Sequence, residues 1–256
     1  MDCNELLNTA TDVAYALLES GAEIYRVEET VMRIYAAYGA REGHIFAIPT
    51  LLILSLQDED GKNLTTIRRL GNHGSDLARV NAYNELCRTV CRERPPFSQI
   101  HRELARIGRL PHYTPLQQIA AGGVVAFGFT FLFGGSAIDA LCALAWGVLV
   151  KLILFLLEKY HANSFFTTIV ASFAAAALAL TGFWLGLGEN LDKIIIGVLM
   201  NLVPGVVLTN VMRDMIAGDL VAGLTKLAQA LITATGIALG TGVAISLGRV
   251  ILGVVG

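Results

Sequence analysis

The stretch from Gly197 to Asp214 reads Gly-Val-Leu-Met-Asn-Leu-Val-Pro-Gly-Val-Val-Leu-Thr-Asn-Val-Met-Arg-Asp, an apolar run interrupted at its middle. Pro204 has no N–H to offer the carbonyl of Met200, and Gly205 weakens the next turn. Backbone acceptors are therefore expected to come free at the break, flanked by the amides of Asn201 and Asn210 and the hydroxyl of Thr209. Groups of this kind coordinate polar solutes, so Asn201, Pro204, Gly205, Thr209 and Asn210 are candidate substrate-binding positions. The competing reading is a kink whose freed groups are satisfied by neighbouring helices.

Just beyond the break, Arg213, Asp214 and Asp219 lead into Lys226, which falls about two turns inside the next apolar run. A lysine there must snorkel or pair, with Asp214 or Asp219 as partner. The functional alternative is anion recognition or proton coupling, making Arg213, Asp214, Asp219 and Lys226 candidates for gating or charge coupling. Lys151 is read as snorkelling and Asp139 as interfacial.

Other chemistries find no foothold. No nucleotide loop, nucleophile elbow or zincin helix is present, and the acidic run Asp58–Asp60 lacks the spacing of an EF-hand loop. His44, His73, His101 and His112 are scattered singly and carry no assigned role. Cys3, Cys87, Cys91 and Cys142 show no C-x2-C spacing. Cys87 and Cys91 lie at i, i+4 and read as buried small apolar residues, with a metal site involving His101 as the alternative. Neither a resident metal nor a cofactor is expected. The net charge of −2 gives no reason to expect nucleic-acid binding, and no nucleophile–base set points to an enzyme.

The elements that must position these residues address two solvents. The 256 residues are 54% hydrophobic and 16% charged, against roughly a quarter charged in soluble chains. Residues 1–113 hold 13 of the 19 Lys+Arg and 15 of the 21 Asp+Glu. The expectation is a mainly α membrane protein, with a small cytoplasmic α+β domain at 1–113 and a transmembrane helical domain at 114–256. About five spans are placed near 115–134, 137–157, 165–187, 193–213 and 220–248. Basic residues before the first span, at Lys159 and at Arg213 put the N-terminus in the cytoplasm and the C-terminus outside; Arg249 is an exception. With two acids and no base in Met1–Glu5, no signal peptide is expected.

Within 1–113, Leu6, Leu7, Ala10, Val13, Ala14, Leu17 and Leu18 recur at helical spacing before Gly21, and a second helix runs to Gly39. His44–Leu56 and Leu64–Leu70, separated by Asp58–Gly61, read as a β-hairpin. Pro49 makes the first strand an edge, a bulge or two short strands. Two helices follow, the second behind Pro95 and Pro96. In the membrane half, Gly182-x-x-x-Gly186 and Gly236-x-x-x-Gly240 are expected to let helices approach closely.

Several segments together carry a resemblance: Glu19-Ser-Gly-Ala-Glu-Ile-Tyr-Arg-Val-Glu-Glu29, Arg68-Arg69, Leu202-Val-Pro-Gly205, Arg213-Asp214 and Gly218-Asp219. Over nearly the whole chain they resemble the threonine/serine exporter family, most closely its N-terminal-like component. Split members of that type include components of a proposed succinate exporter. The resemblance implies export of small amino acids or dicarboxylates across the bacterial inner membrane, proton-driven, with alternating access between bundles. Because fused members continue into a second membrane region, it also implies a separate small membrane subunit, or a homo-oligomer, as partner alongside the lipid bilayer. An accessory subunit without its own transport path is the alternative. Glu23 and Glu28 match the family's helical motif, where a structural role anchoring the soluble domain is the expectation.

Overall fold

The computed structural model describes residues 2–252 apart from 41, 72, 73, 75, 112 and 161; His73 and His112 lie outside the described residues. Two compact units emerge, one formed by Met1–Pro111 with Val207–Leu227, the other by His112–Val206 with Ala228–Gly256.

In the first unit, α1 (Cys3–Glu19) starts at Asp2, whose carboxylate accepts the N–H groups of Asn4 and Glu5. Its stripe of Leu6, Ala10, Val13, Ala14 and Leu17 is wholly buried. Helix α2 (Ile24–Ala37) buries Ile24, Val27, Val31 and Ile34. The run from His44 divides at Pro49 into β1 (Gly43–Ile48) and β2 (Leu51–Gln57), because a proline in the ladder would delete a hydrogen bond whereas one in the turn deletes none. Strand β3 (Asn63–Arg69) follows a tip at which Asp58 accepts the N–H groups of Asp60 and Lys62. The sheet is antiparallel in the order β1-β2-β3, with Leu52, Leu54 and Leu56 pointing inward. Helices α3 (Leu77–Glu93) and α4 (Phe97–Gly108) add Val90, Ile100 and Ile107 to the same core. Ala222 joins it from the Val207–Leu227 stretch.

The second unit is helical. Helix α5 (Pro115–Leu132) opens with a reciprocal cap between Thr114 and Gln117, and α6 (Ala137–Lys159) with one between Ser136 and Asp139. Helix α7 (Ser164–Trp184) is capped by Asn163, and a short α8 (Leu191–Leu199) follows. Helix α9 (Gly205–Ala217) and the long α10 (Leu220–Leu252) complete the chain's elements. Among the described residues four helices are long and apolar enough to cross a membrane: Pro115–Leu132, Ala137–Lys159, Ser164–Trp184 and Leu220–Ile251. The remaining expected span, 193–213, is not one helix. It falls on α8 and α9, whose 9 and 13 residues would each reach only about 13–20 Å of a core about 30 Å thick.

Small residues set the helix spacing. A Cβ on Gly147 of α6 would sit 2.7 Å from the Gly122 carbonyl and 2.7 Å from the Ala126 Cβ, so α5 and α6 meet backbone to backbone. Gly197 brings α8 equally close to α5, beside Ala126 and Thr130. On α10, Gly236 lies against Thr168, and a side chain at Gly240 would collide with Ser172 and the Ile169 carbonyl. The expected close approach at Gly236-x-x-x-Gly240 is thus made against α7. The pair at Gly182 and Gly186 behaves differently. Gly182 faces Trp146, but Gly186 has φ +74° and open space around it, so it closes the end of α7 instead of packing a helix.

Candidate functional site

The interruption between α8 and α9 is built as its sequence requires. The N–H groups of Leu202 and Val203 both turn back to the Leu199 carbonyl, closing α8, and Gly205 begins the next helix directly after Pro204. Asn201 is tied to its neighbours, as the kink reading expects. Its side-chain amide donates to the Gly122 carbonyl of α5 at 3.1 Å and to the Val198 carbonyl at 3.2 Å, which fastens the break to a neighbouring helix. Only its Oδ1 is left for another donor's approach. Pro204 is half-buried; Gly205 is exposed, with open space where a Cβ would stand. Thr209, exposed, and Asn210, half-buried, lie farther along α9 within the first unit.

The charged candidates form a cluster inside the first unit. Asp214 is wholly buried and accepts a hydrogen bond from the Lys226 ammonium at 2.7 Å, an ion pair between α9 and the first turns of α10. Its second oxygen, Oδ1, is buried without any hydrogen-bond partner. A buried carboxylate oxygen in that condition is costly. One residue earlier, Arg213 forms an ion pair with Glu23 at the start of α2, and Glu23 also holds Arg26 at 3.2 Å. Glu28, one turn on, accepts the Ala47 N–H at 2.9 Å. Thus the Ser-Gly-Ala-Glu motif meets Arg213 across 190 positions of sequence. Complementary charge was its available signal, and nothing in either segment's periodicity identifies the partner.

Two acids here are held above their ordinary values. Burial raises Glu28, with the Asp219 charge adding to it against the lowering effect of the Ala47 N–H. Burial likewise raises Asp219, with Asp214 adding and Lys226 opposing. The folded protein therefore binds these protons more tightly than the unfolded chain. The associated stability is complete below the ordinary values of 4.5 and 3.8 and is lost as pH rises through the raised folded values. Unfolding of the full chain in detergent, followed across that acidic range, should show this decline, and Glu28→Gln with Asp219→Asn should flatten it. Identical slopes with and without the substitutions would disprove the burial effect.

Elsewhere polar groups serve structure. Asp139, expected as merely interfacial, is wholly buried and accepts from Ser136 N at 2.9 Å, Glu189 N at 2.7 Å, Asn190 N at 3.0 Å and Asn190 Nδ2 at 2.8 Å. It ties the start of α6 to the segment entering α8. Asp139→Asn replaces one acceptor oxygen with a donor and should cost about 2 kcal/mol, read as a lower melting temperature in detergent. Lys151 lays its stem against Gly122. In the first unit, His101 Nε2 lies 3.2 Å from Thr9 Oγ1 and 3.7 Å from Asp12 Oδ2. Both contacts use one ring nitrogen, whereas a hydroxyl–imidazole–carboxylate relay needs both. Among the described residues no group of three or more His, Cys, Asp or Glu gathers as a metal site.

The family model described as "Putative threonine/serine exporter" (ThrE) matches residues 8–248. The chain belongs to the ThrE family. A relative from Mycobacterium tuberculosis named "Probable threonine/serine exporter" is 22% identical over 238 residues, covering 92% of this chain and 45% of its own length. The chain thus spans about half the length of that relative. No solved structure matches. Within a family described as exporters, the four apolar helices fit a membrane location, and both the α8–α9 break and the Asp214–Lys226 pair lie within the matched range.

Proposed function

We propose that this ThrE-family chain is a subunit of a bacterial inner-membrane exporter of small amino acids or related organic acids, coupled to protons. The observation that carries the reading is the interruption at 200–204 between α8 and α9, adjoining a bundle of apolar helices. A helix end in such a setting presents carbonyls, and a helix start presents amides, where hydrocarbon would otherwise surround the chain. Asn201 Oδ1, the backbone about Pro204 and Gly205, and Thr209 and Asn210 on α9 are the positions proposed to meet substrate. In this reading 193–213 supplies a fifth crossing, as two helices about the break, with the N-terminus cytoplasmic and the C-terminus outside.

The coupling element is the charged cluster on α9. Arg213 and Asp214 share a helix with Gly205, so a change in charge at Asp214, Asp219 or Glu28 bears on the helix that begins at the break. Arg213, Asp214, Asp219 and Lys226, with Asp214 holding the Lys226 ammonium, are the groups proposed to gate or couple charge. A second small membrane subunit is the proposed partner. The decisive experiment follows efflux of labelled threonine, serine and succinate from cells with and without the chain and such a subunit. Accelerated efflux of one of them, abolished by collapsing the proton gradient, is expected. Unchanged efflux of all three would refute the proposal.

A further inference from the structure

Helices α2 and α3 frame a cleft of about 460 Å³ in the first unit, lined by Tyr25, Arg26, Thr30 and Arg33 on one side and by Asn84, Cys87, Arg88, Cys91 and Arg92 on the other, where every one of these faces a common space. Four guanidinium groups thus line one concavity, opposed within the lining by the single carboxylate of Glu29. This excess of positive charge is local, since residues 1–113 carry 15 acids against 13 bases.

From this we infer that the cleft is a binding site for a small organic anion bearing two or more negative groups, a di- or tricarboxylate or a phosphate ester. The volume is that of a small-molecule site. The guanidinium groups hold only local partners. Arg33 pairs with Glu29 and Arg88 with Glu85 one turn away, Arg92 with its neighbour Glu93, and Arg26 with Glu23. All four arginines are exposed, and the Arg33, Arg88 and Arg92 pairs, solvated on both sides, are weak, so a ligand carboxylate or phosphate in the cleft outcompetes them through forked, charge-assisted bonds. Tyr25, Thr30 and Asn84 add neutral hydrogen-bonding groups that would select among anions by their hydroxyl or amino substituents. Cys87 on the floor is buried, and burial pushes its thiol up to about 12, so it serves as packing surface. Cys91 is half-buried at the edge.

The site also has a route to the rest of the unit. Glu23 is shared between Arg26 at the cleft and Arg213 on α9. An anion that draws Arg26 inward leaves Glu23 to Arg213, which makes the cleft a place from which a metabolite could adjust the α9 cluster. The inference does not rest on the transport proposal, because binding is measured without flux.

The test uses the full chain in a neutral detergent, titrated calorimetrically with citrate, succinate and pyrophosphate against sodium chloride at matched ionic strength. Saturable one-to-one binding of at least one probe is expected, and Arg33→Gln and Arg88→Gln should each weaken it about tenfold to a hundredfold. In the unsubstituted protein, saturating probe should slow maleimide labelling of Cys91, read residue by residue by mass spectrometry, while leaving Cys3 and Cys142 unaffected. This footprint stands whether or not the variants fold. Heats no larger than those of the chloride control, unchanged affinity in both Arg33→Gln and Arg88→Gln, or unslowed labelling of Cys91 at saturation would each overturn the assignment.

Discussion

Asp214→Ala should destabilise the protein by about 3–5 kcal/mol, a large share of the roughly 5–15 kcal/mol that holds a typical domain folded. The Lys226 side chain is 15% exposed and its nearest countercharge is Asp214, so the substitution strands an ammonium in a poorly solvated position. Lys226→Met should cost as much, because it strands the carboxylate instead. Removing both as Asp214→Leu with Lys226→Met replaces the ion pair by apolar packing, which is often neutral for stability. The double variant is therefore expected to recover most of its melting temperature, and, if the proposed charge coupling holds, to lack efflux as the single variants do. That combination separates a pair kept for charge movement from one kept for packing. Single variants that melt within about 1 kcal/mol of the parent would show that the pair is not isolated from water. Restored efflux in the double variant would remove the pair from the coupling mechanism.

How far such a pair could be read in advance depends on distance along the chain. Lys226 and Asp214 are 12 residues apart, and a buried lysine needs a countercharge, so its pairing with Asp214 or Asp219 followed from local sequence. The Glu23–Arg213 contact depended on which face of α2 the tertiary fold turns toward α9, and no periodicity encodes that. Asn201 shows the reverse difficulty. Its place beside Pro204 left open whether its amide meets a ligand or a neighbouring helix, and only the fold shows that the Nδ2 group donates to the Gly122 carbonyl of α5.

The architecture was legible wherever backbone chemistry speaks locally. Pro49 divided β1 from β2, Pro204 divided α8 from α9, and Pro95–Pro96 preceded α4. What stayed hidden was the meaning of individual glycines. In an apolar run, a glycine that lets two helices touch looks the same as one that ends a helix or one that faces open space. Gly186, Gly128 and Gly147 are respectively a terminus, an open position and a backbone contact.

That difference supplies a matched pair of substitutions. Gly147→Val is expected to be among the most damaging changes in the second unit, because its Cβ alone would stand 2.7 Å from both the Gly122 carbonyl and the Ala126 Cβ, and 3.2 Å from the Gly123 Cα. Two of those three neighbours are main chain, so α5 and α6 must separate, losing the dispersion contacts that hold helices together where lipid offers no hydrophobic drive. Overpacking ordinarily costs about 1–3 kcal/mol, and a clash with main chain belongs at or above the upper end. Gly128→Val inserts the same atoms on α5 where nothing lies within 4 Å of the new Cβ, so it should leave the fold unchanged. Monodispersity and melting temperature in detergent distinguish the two. If both variants behave alike, the close α5–α6 approach, in which a Cβ on Gly123 would likewise stand 2.9 Å from the Leu144 carbonyl, is not what holds this bundle.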